Sequence, residues 1–167
     1  MHGLACRRAR LREGHHAAVQ RHQVAAVGDG YGGLEHRSST SLLCKRDELP
    51  QPGVGQITDA YRRFLGLASH EYFHSWNVKR IRPAAFVPYD LTQENYTRLL
   101  WAFEGFTSYY DDLMLVRAGL LTVDQYLDTL ARTLTTVMQR TSRLKQSVAE
   151  SSFDAWILRT TFGPHSF

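Results

Sequence analysis

Residues 68–74 read ASHEYFH, which sets His70 and His74 four positions apart with Glu71 directly after the first histidine. On a helix of about 3.6 residues per turn, positions four apart lie on the same face. Both imidazoles can then reach one cation about 2 Å away, with Glu71 beside it. The spacing therefore predicts a metal site on a helix.

The residues around the motif favour this interpretation over a chance pair of solvated or core histidines. With 8 histidines in 167 residues, the motif alone is suggestive but does not decide the matter. Thr58 can cap a helix that we expect to run to about Asn77. Apolar residues recur in it at helical spacing, namely Tyr61, Phe64, Leu65, Ala68, Tyr72 and Phe73.

A third ligand is predicted in the stretch WAFEGF at residues 101–106, where Glu104 precedes a glycine. A catalytic zinc ion usually takes three protein ligands and keeps a fourth position open. His70, His74 and Glu104 then hold one Zn²⁺, and Glu71 is the catalytic residue that takes a proton from the water at the open position. The alternative is that Glu104 is an ordinary surface glutamate.

Helix geometry also indicates which neighbours of Glu104 face the metal. At about 100° per residue, Ser108 lies about 40° from Glu104 and Asp111 about 20° from it in the other sense. Either side chain can accept a hydrogen bond from a ligating imidazole and fix its tautomer. A solvated polar residue is the alternative for both.

Composition bounds the remaining functional classes. A chain of 167 residues with 43% hydrophobic residues fits one soluble domain. It has no apolar run long enough for a membrane span and no secretory signal, so we expect no membrane association and a cytoplasmic location. The pI is 9.3, but residues 1–30 hold five arginines against Glu13 and Asp29 and thus carry most of the net charge of +4. Without a nucleic-acid-binding motif, this argues against a nucleic-acid partner.

Composition and residue pattern divide the chain into three parts. Residues 1–30 predict an extension of little structure, or one not native to the domain, because few large apolar residues are available there. Residues 31–158 hold the predicted metal site and begin with a strand and loop over residues 31–46. Residues 159–167 form a tail.

Three long helices and a short N-terminal β segment are expected, so the fold class is mainly α. No proline occurs between Pro88 and Pro164, which favours long helices. The second helix can start at Asp90 or Thr92, with Gly119 as its left-handed C-terminal residue. A capping box from Thr122 to Gln125 then opens the third helix.

Three separated motifs read YGGLEH at residues 31–36, HEYFHSWNVKRIRP at 70–83 and LWAFEGFT at 100–107. Together they resemble the glycyl aminopeptidase family of zinc metallopeptidases. The resemblance covers roughly residues 30 to 158, and it implies that residues 31–158 form a partial zinc metallopeptidase catalytic domain. It implies a gluzincin with a thermolysin-like catalytic domain, α+β in the complete family, in which two histidines and a glutamate bind zinc.

The resemblance also implies a substrate-binding role for the first motif. In aminopeptidases of the aminopeptidase N type, a Gly-x-x-Glu-Asn segment runs along the substrate as an edge strand, and its glutamate binds the free α-amino group. Glu35 takes that place here, and Gly32 and Gly33 allow close approach of the peptide backbone. The implied partner is a peptide with a free N-terminus, although His36 stands where those relatives carry asparagine.

The sequence departs from the family at both ends. Gluzincin aminopeptidases use a tyrosine downstream of the third ligand to stabilise the oxyanion, and we expect this chain to be a truncated fragment without it. Losing one oxyanion donor lowers turnover by about a hundred- to a thousandfold, so weak or no activity is expected. The alternative function is a non-enzymatic zinc-binding relic, or a helical module that binds a protein partner through exposed apolar helix faces.

Overall fold

Four helices follow a small sheet in the computed structural model, which describes residues 21–162. The elements in chain order are β1 Arg21–Val27, β2 Gly32–Glu35, β3 Ser39–Lys45, α1 Asp59–Phe73, α2 Leu100–Arg117, α3 Val123–Gln139 and α4 Val148–Phe162. The predicted mainly α fold with a short N-terminal β segment is confirmed. Across this described range, no helix combines the length and apolar character that a membrane crossing requires.

The sheet has the order β1-β3-β2, with β3 in the centre. Strand β3 runs parallel to β1 and antiparallel to β2, where Gly32 lies opposite Leu43. Alternate residues of β3 are buried, as expected when one face of a strand packs on a helix, and these are Thr40, Leu42 and Cys44. Strand β2 pairs on one side only within residues 21–162, so its other edge is open.

Strand β1 corrects the expectation of little structure for residues 1–30. Its side chains are almost all exposed, so hydrophobic patterning gave no signal. Backbone pairing with β3 along the whole strand, from Arg21 opposite Ser39 to Val27 opposite Lys45, holds it in the sheet instead. Residues 1–20 lie outside the described residues.

Helix α1 begins as predicted and ends earlier. The Thr58 hydroxyl accepts the backbone N–H of Tyr61 at 3.1 Å and caps the helix. The prediction that α1 continues to Asn77 is wrong, because the backbone tightens into turns after Phe73. The Asn77 side chain there donates to the carbonyl oxygen of Phe103 at 3.2 Å, which draws the turn onto α2.

Helix α2 begins at Leu100, later than the predicted start at Asp90 or Thr92. The Asp90 carboxylate accepts both the backbone N–H and the hydroxyl of Thr92, and the Asn95 amide donates to the Asp90 carbonyl oxygen. These local hydrogen bonds satisfy the backbone in a turn and compete with helix formation. The C-terminal prediction is confirmed, since Gly119 has a left-handed φ of +71°.

Helices α3 and α4 complete the described chain. The capping box of α3 forms as predicted between Thr122 and Gln125. Helix α4 follows the three long helices that the sequence predicts, and it passes through residue 159, where a tail was expected to begin. The Trp156 indole N–H donates to the Thr97 carbonyl oxygen at 3.0 Å. Thr97 lies three residues before α2, so this hydrogen bond holds α4 next to the start of α2.

Candidate metal centre

Three ligand atoms converge where α1 packs on α2. The Nε2 atoms of His70 and His74 lie 3.1 Å apart. The Oε2 atom of Glu104 lies 3.1 Å from the first of them and 3.7 Å from the second. Within residues 21–162, these are the only three His, Cys, Asp or Glu side chains whose ligand atoms meet closely enough to hold one metal ion.

The chemistry and spacing of this donor set fit a zinc ion. Zinc bonds of about 2.0–2.1 Å in a tetrahedron place neighbouring ligand atoms about 3.3–3.4 Å apart. The three observed distances of 3.1, 3.1 and 3.7 Å bracket that spacing. Two imidazoles and a carboxylate also match the donor types that catalytic zinc sites use.

Each histidine presents Nε2 because its other ring nitrogen has a partner. The Nδ1 atom of His70 lies 3.0 Å from Oδ2 of Asp111, and that of His74 lies 2.9 Å from the carbonyl oxygen of Asn77. A carboxylate and a carbonyl only accept, so each Nδ1 donates its proton to that partner and each Nε2 faces the centre. Ser108, the other side chain predicted for this role, is exposed and makes no hydrogen bond to either histidine among the described residues.

Sequence reasoning missed Asn77 and Thr107 as supports of the site. The Thr107 side chain is fully buried, its hydroxyl lies 3.4 Å from Nδ1 of His74, and it accepts from the Asn77 amide at 3.2 Å. Thr107 lies about 60° from Glu104 around α2, so the helical wheel that singled out Asp111 could have found it. The role of the Asn77 carbonyl depends on where α1 ends, and no sequence pattern revealed that end.

Glu71 lies beside the three ligand atoms. The residue is 5% exposed, and no residue in the range 21–162 hydrogen-bonds to its buried Oε2 atom. A buried polar atom without a partner is unfavourable, so Oε2 is free to accept a hydrogen bond from a water or substrate bound at the centre. Burial also raises the pKa of Glu71, because a charged carboxylate is less stable away from water.

The ligands themselves show strong electrostatic coupling. Burial disfavours the charged form of His70, but hydrogen bonds to Asp111 and Glu104 outweigh it and raise its pKa to about 10. Burial acts against the charged form of Glu104 too, and hydrogen bonds from the two histidines lower its pKa to about 2. The pKa of His74 is likewise raised by Glu104 and the Asn77 carbonyl against the effect of burial. The histidines and Glu104 thus stabilise each other's charged forms.

The predicted substrate-binding strand β2 lies against Glu71, the predicted catalytic residue. A Cβ atom added to Gly33 would lie 2.1 Å from Oε1 of Glu71, whereas one added to Gly32 would meet nothing within 4 Å. The backbone of β2 therefore needs a glycine at position 33, because it passes close to the Glu71 side chain there. Glu35, the third residue of this prediction, forms an ion pair of 2.9 Å with Lys79.

A shallow pocket of about 260 Å³ adjoins Glu104 on the side of α4. Its walls are mainly apolar, and it is lined by Leu100, Trp101, Glu104, Val148, Ser151, Ser152 and Ala155. The open edge of β2 and this pocket give the ligand cluster two neighbouring surfaces that can contact a bound molecule.

Comparison with known proteins identifies similar sequences and folds. Residues 63–164 match the sequence model of the M61 glycyl aminopeptidase family. The fold is also similar to the crystal structure of an aminopeptidase N family protein from Idiomarina loihiensis, with a TM-score of 0.80 and 46% identity over 84% of this chain. The chain spans 24% of the length of that protein. No curated protein is significantly similar to the chain.

Proposed function

This chain belongs to the M61 glycyl aminopeptidase family, and on that premise we propose that it binds one zinc ion and hydrolyses the N-terminal peptide bond of a peptide. Membership confirms the family resemblance inferred from the three motifs. One observation carries the proposal: the ligand atoms of His70, His74 and Glu104 converge beside a carboxylate oxygen of Glu71 to which no described residue hydrogen-bonds.

In the proposed reaction a bound zinc ion and the Glu71 side chain have different roles. A bound zinc ion supplies Lewis acidity, which lowers the pKa of a coordinated water to about 7 and polarises a carbonyl oxygen. Glu71 accepts the proton of the attacking water and returns it to the leaving amine. The Oε2 atom of Glu71 is free for this exchange, since nothing in the described chain hydrogen-bonds to it.

The same proposal assigns the substrate to the open edge of β2. An extended peptide can add to this edge through backbone hydrogen bonds, which orient it without regard to its side chains. Glu35 then receives the α-ammonium group, the role that the family resemblance implies for it, and it lies two residues beyond Gly33, which approaches Glu71. A site that binds the peptide backbone along β2 and the α-ammonium group at Glu35 selects peptides with a free N-terminus.

Metal content and hydrolysis, measured together, test the proposal. We expect the zinc-loaded chain to contain one zinc ion and to hydrolyse glycine or alanine amide substrates. His70→Ala removes a ligand and should lose the zinc. Glu71→Gln removes the proton acceptor and should keep the zinc while hydrolysis falls by at least about a hundredfold, the lower range for general base catalysis. Glu94→Gln, an exposed glutamate away from the cluster, is the matched control and should change neither.

A second candidate function is a non-enzymatic zinc-binding or protein-binding chain. The exposed apolar side chains of α3 favour it, because soluble proteins rarely leave such a stripe without a use; they include Leu127, Leu134, Val137 and Met138. One bound zinc without hydrolysis in the unsubstituted chain would support this candidate. A folded chain that binds no zinc would refute the metallopeptidase proposal.

A further inference from the structure

The ion pair between Glu35 and Lys79 is more enclosed than an ordinary surface pair. Its charged atoms lie 2.9 Å apart, and the two side chains are only 24% and 26% exposed. The pair of Lys45 and Asp29 has the same 2.9 Å separation, yet the Asp29 side chain is 89% exposed. The Glu35–Lys79 pair is therefore held among other residues of the fold, whereas the Lys45–Asp29 pair lies largely in solvent.

The ion pair of Glu35 and Lys79 lies on the face of β2 that is next to Glu71, the proposed catalytic residue. Side chains two positions apart on a strand point to the same side. Gly33 faces Glu71, since a Cβ on it would lie 2.1 Å from Oε1 of Glu71. Glu35 follows two residues later on the same strand, so its carboxylate and the Lys79 ammonium lie on the Glu71 side of the sheet.

Neither partner needs the ion pair to hold its position. The backbone of Glu35 is fixed in the sheet opposite Thr40. The backbone N–H of Lys79 donates to the His74 carbonyl oxygen at 3.1 Å, and its carbonyl oxygen accepts from the Arg82 guanidinium at 2.9 Å. Separation of the two side chains would thus leave both backbones in place, and Lys79 could swing its ammonium group into water.

We propose that the Lys79 ammonium group occupies the carboxylate that receives the substrate's α-ammonium group, so that a peptide binds by displacing Lys79. This inference rests on the proposed aminopeptidase function. Both groups are primary ammonium ions of the same charge, and one carboxylate cannot neutralise two of them. Lys79 is therefore a specificity-determining residue that weakens the binding of simple amines and leaves Glu35 paired when no peptide is bound.

The exchange can be observed directly in the unsubstituted chain. Lysines are methylated with a ¹³C label, which keeps their charge, and the chain has three of them, Lys45, Lys79 and Lys145. Ethanolamine serves as an ammonium probe that cannot be hydrolysed, and N-acetylethanolamine as its neutral counterpart. Ethanolamine should shift the Lys79 signal, whereas Lys45 and Lys145 stay unchanged, and the neutral compound should shift none. Saturable binding of ethanolamine without a shift of Lys79 would overturn the proposal, as would an absence of binding.

Substitutions give a quantitative check of the same exchange. Lys79→Met keeps the aliphatic stem and removes the charge, so ethanolamine should bind about fivefold more tightly, the upper end for a partly exposed pair. Lys79→Arg should bind it as the unsubstituted chain does, Lys45→Met is the matched control with no change, and Glu35→Gln should abolish the binding. Weaker or unchanged binding by a folded Lys79→Met chain would show that Lys79 supports Glu35 and would contradict the exchange.

The result is separable from the proposed function. Zinc content and hydrolysis are measured on the same samples, and neither reports on the Lys79 signal. If hydrolysis fails while ethanolamine displaces Lys79, the enzyme proposal falls and the amine exchange remains. If hydrolysis succeeds while Lys79 is undisturbed, the exchange falls and the enzyme proposal remains.

Discussion

Helix α1 and helix α3 are similar in length and both begin at a threonine cap, yet only α1 buries residues. Helix α1 lies between the sheet and α2, and its buried residues Leu67 and Glu71 join the core to the site. Helix α3 is the more strongly amphipathic of the two and buries none. An apolar stripe thus predicts a helix but not its burial, because burial requires a partner surface as well.

The largest difference in stability is expected between a substitution in the buried core beside the metal centre and one on the exposed apolar face of α3. Phe103 is 6% exposed and lies near the ring of Phe86, so Phe103→Ala should lower the free energy of unfolding by about 3–5 kcal/mol. Leu134, 56% exposed on α3, should lose less than about 0.5 kcal/mol as Leu134→Ala. Urea unfolding followed by circular dichroism measures both. Equal losses would mean that α3 is packed in solution.

The helices were predictable from sequence to the extent that local chemistry determines them. The caps at Thr58 and Thr122 and the left-handed Gly119 formed as expected, because each depends on residues within one turn. Helix α4 could have been found in the same way. Ser147 and Glu150 have the spacing of a capping box, and each side chain hydrogen-bonds the backbone N–H of the other.

The features that were missed depend on distant or competing partners. The α1 end depends on Asn77 reaching α2, and β1 depends on pairing with β3. The late start of α2 reflects an Asp90 turn that outcompetes the helix. For the site, spacing placed the ligand residues on helical faces, whereas the ion pair of Glu35 with Lys79 required the fold, since these residues lie on a strand and a loop without a shared period.

The contact between β2 and Glu71 can be tested with two adjacent glycines. Gly33→Ala places a methyl group within 2.1 Å of Glu71 Oε1, so the strand or the carboxylate must shift. We expect a loss of about 1–3 kcal/mol in stability, the range for an overpacked site, together with slower hydrolysis. Gly32→Ala meets open space and is the matched control. Similar behaviour of the two variants would contradict the close approach of β2 to the site.

The smallest effect on stability is expected where α3 is most exposed. Leu127 and Met138 are 51% and 63% exposed, so most of the apolar surface that serine would remove from them is already in water. The free energy of unfolding should change by less than about 0.5 kcal/mol per residue, because neither side chain is part of the buried core. Self-association should respond instead, since an exposed apolar stripe favours contacts between copies or with a partner. Sedimentation velocity over a range of concentrations should show the unsubstituted chain associating and the double variant remaining monomeric. An unsubstituted chain that stays monomeric throughout would show that this stripe, unlike the buried face of α1, is stable without a partner.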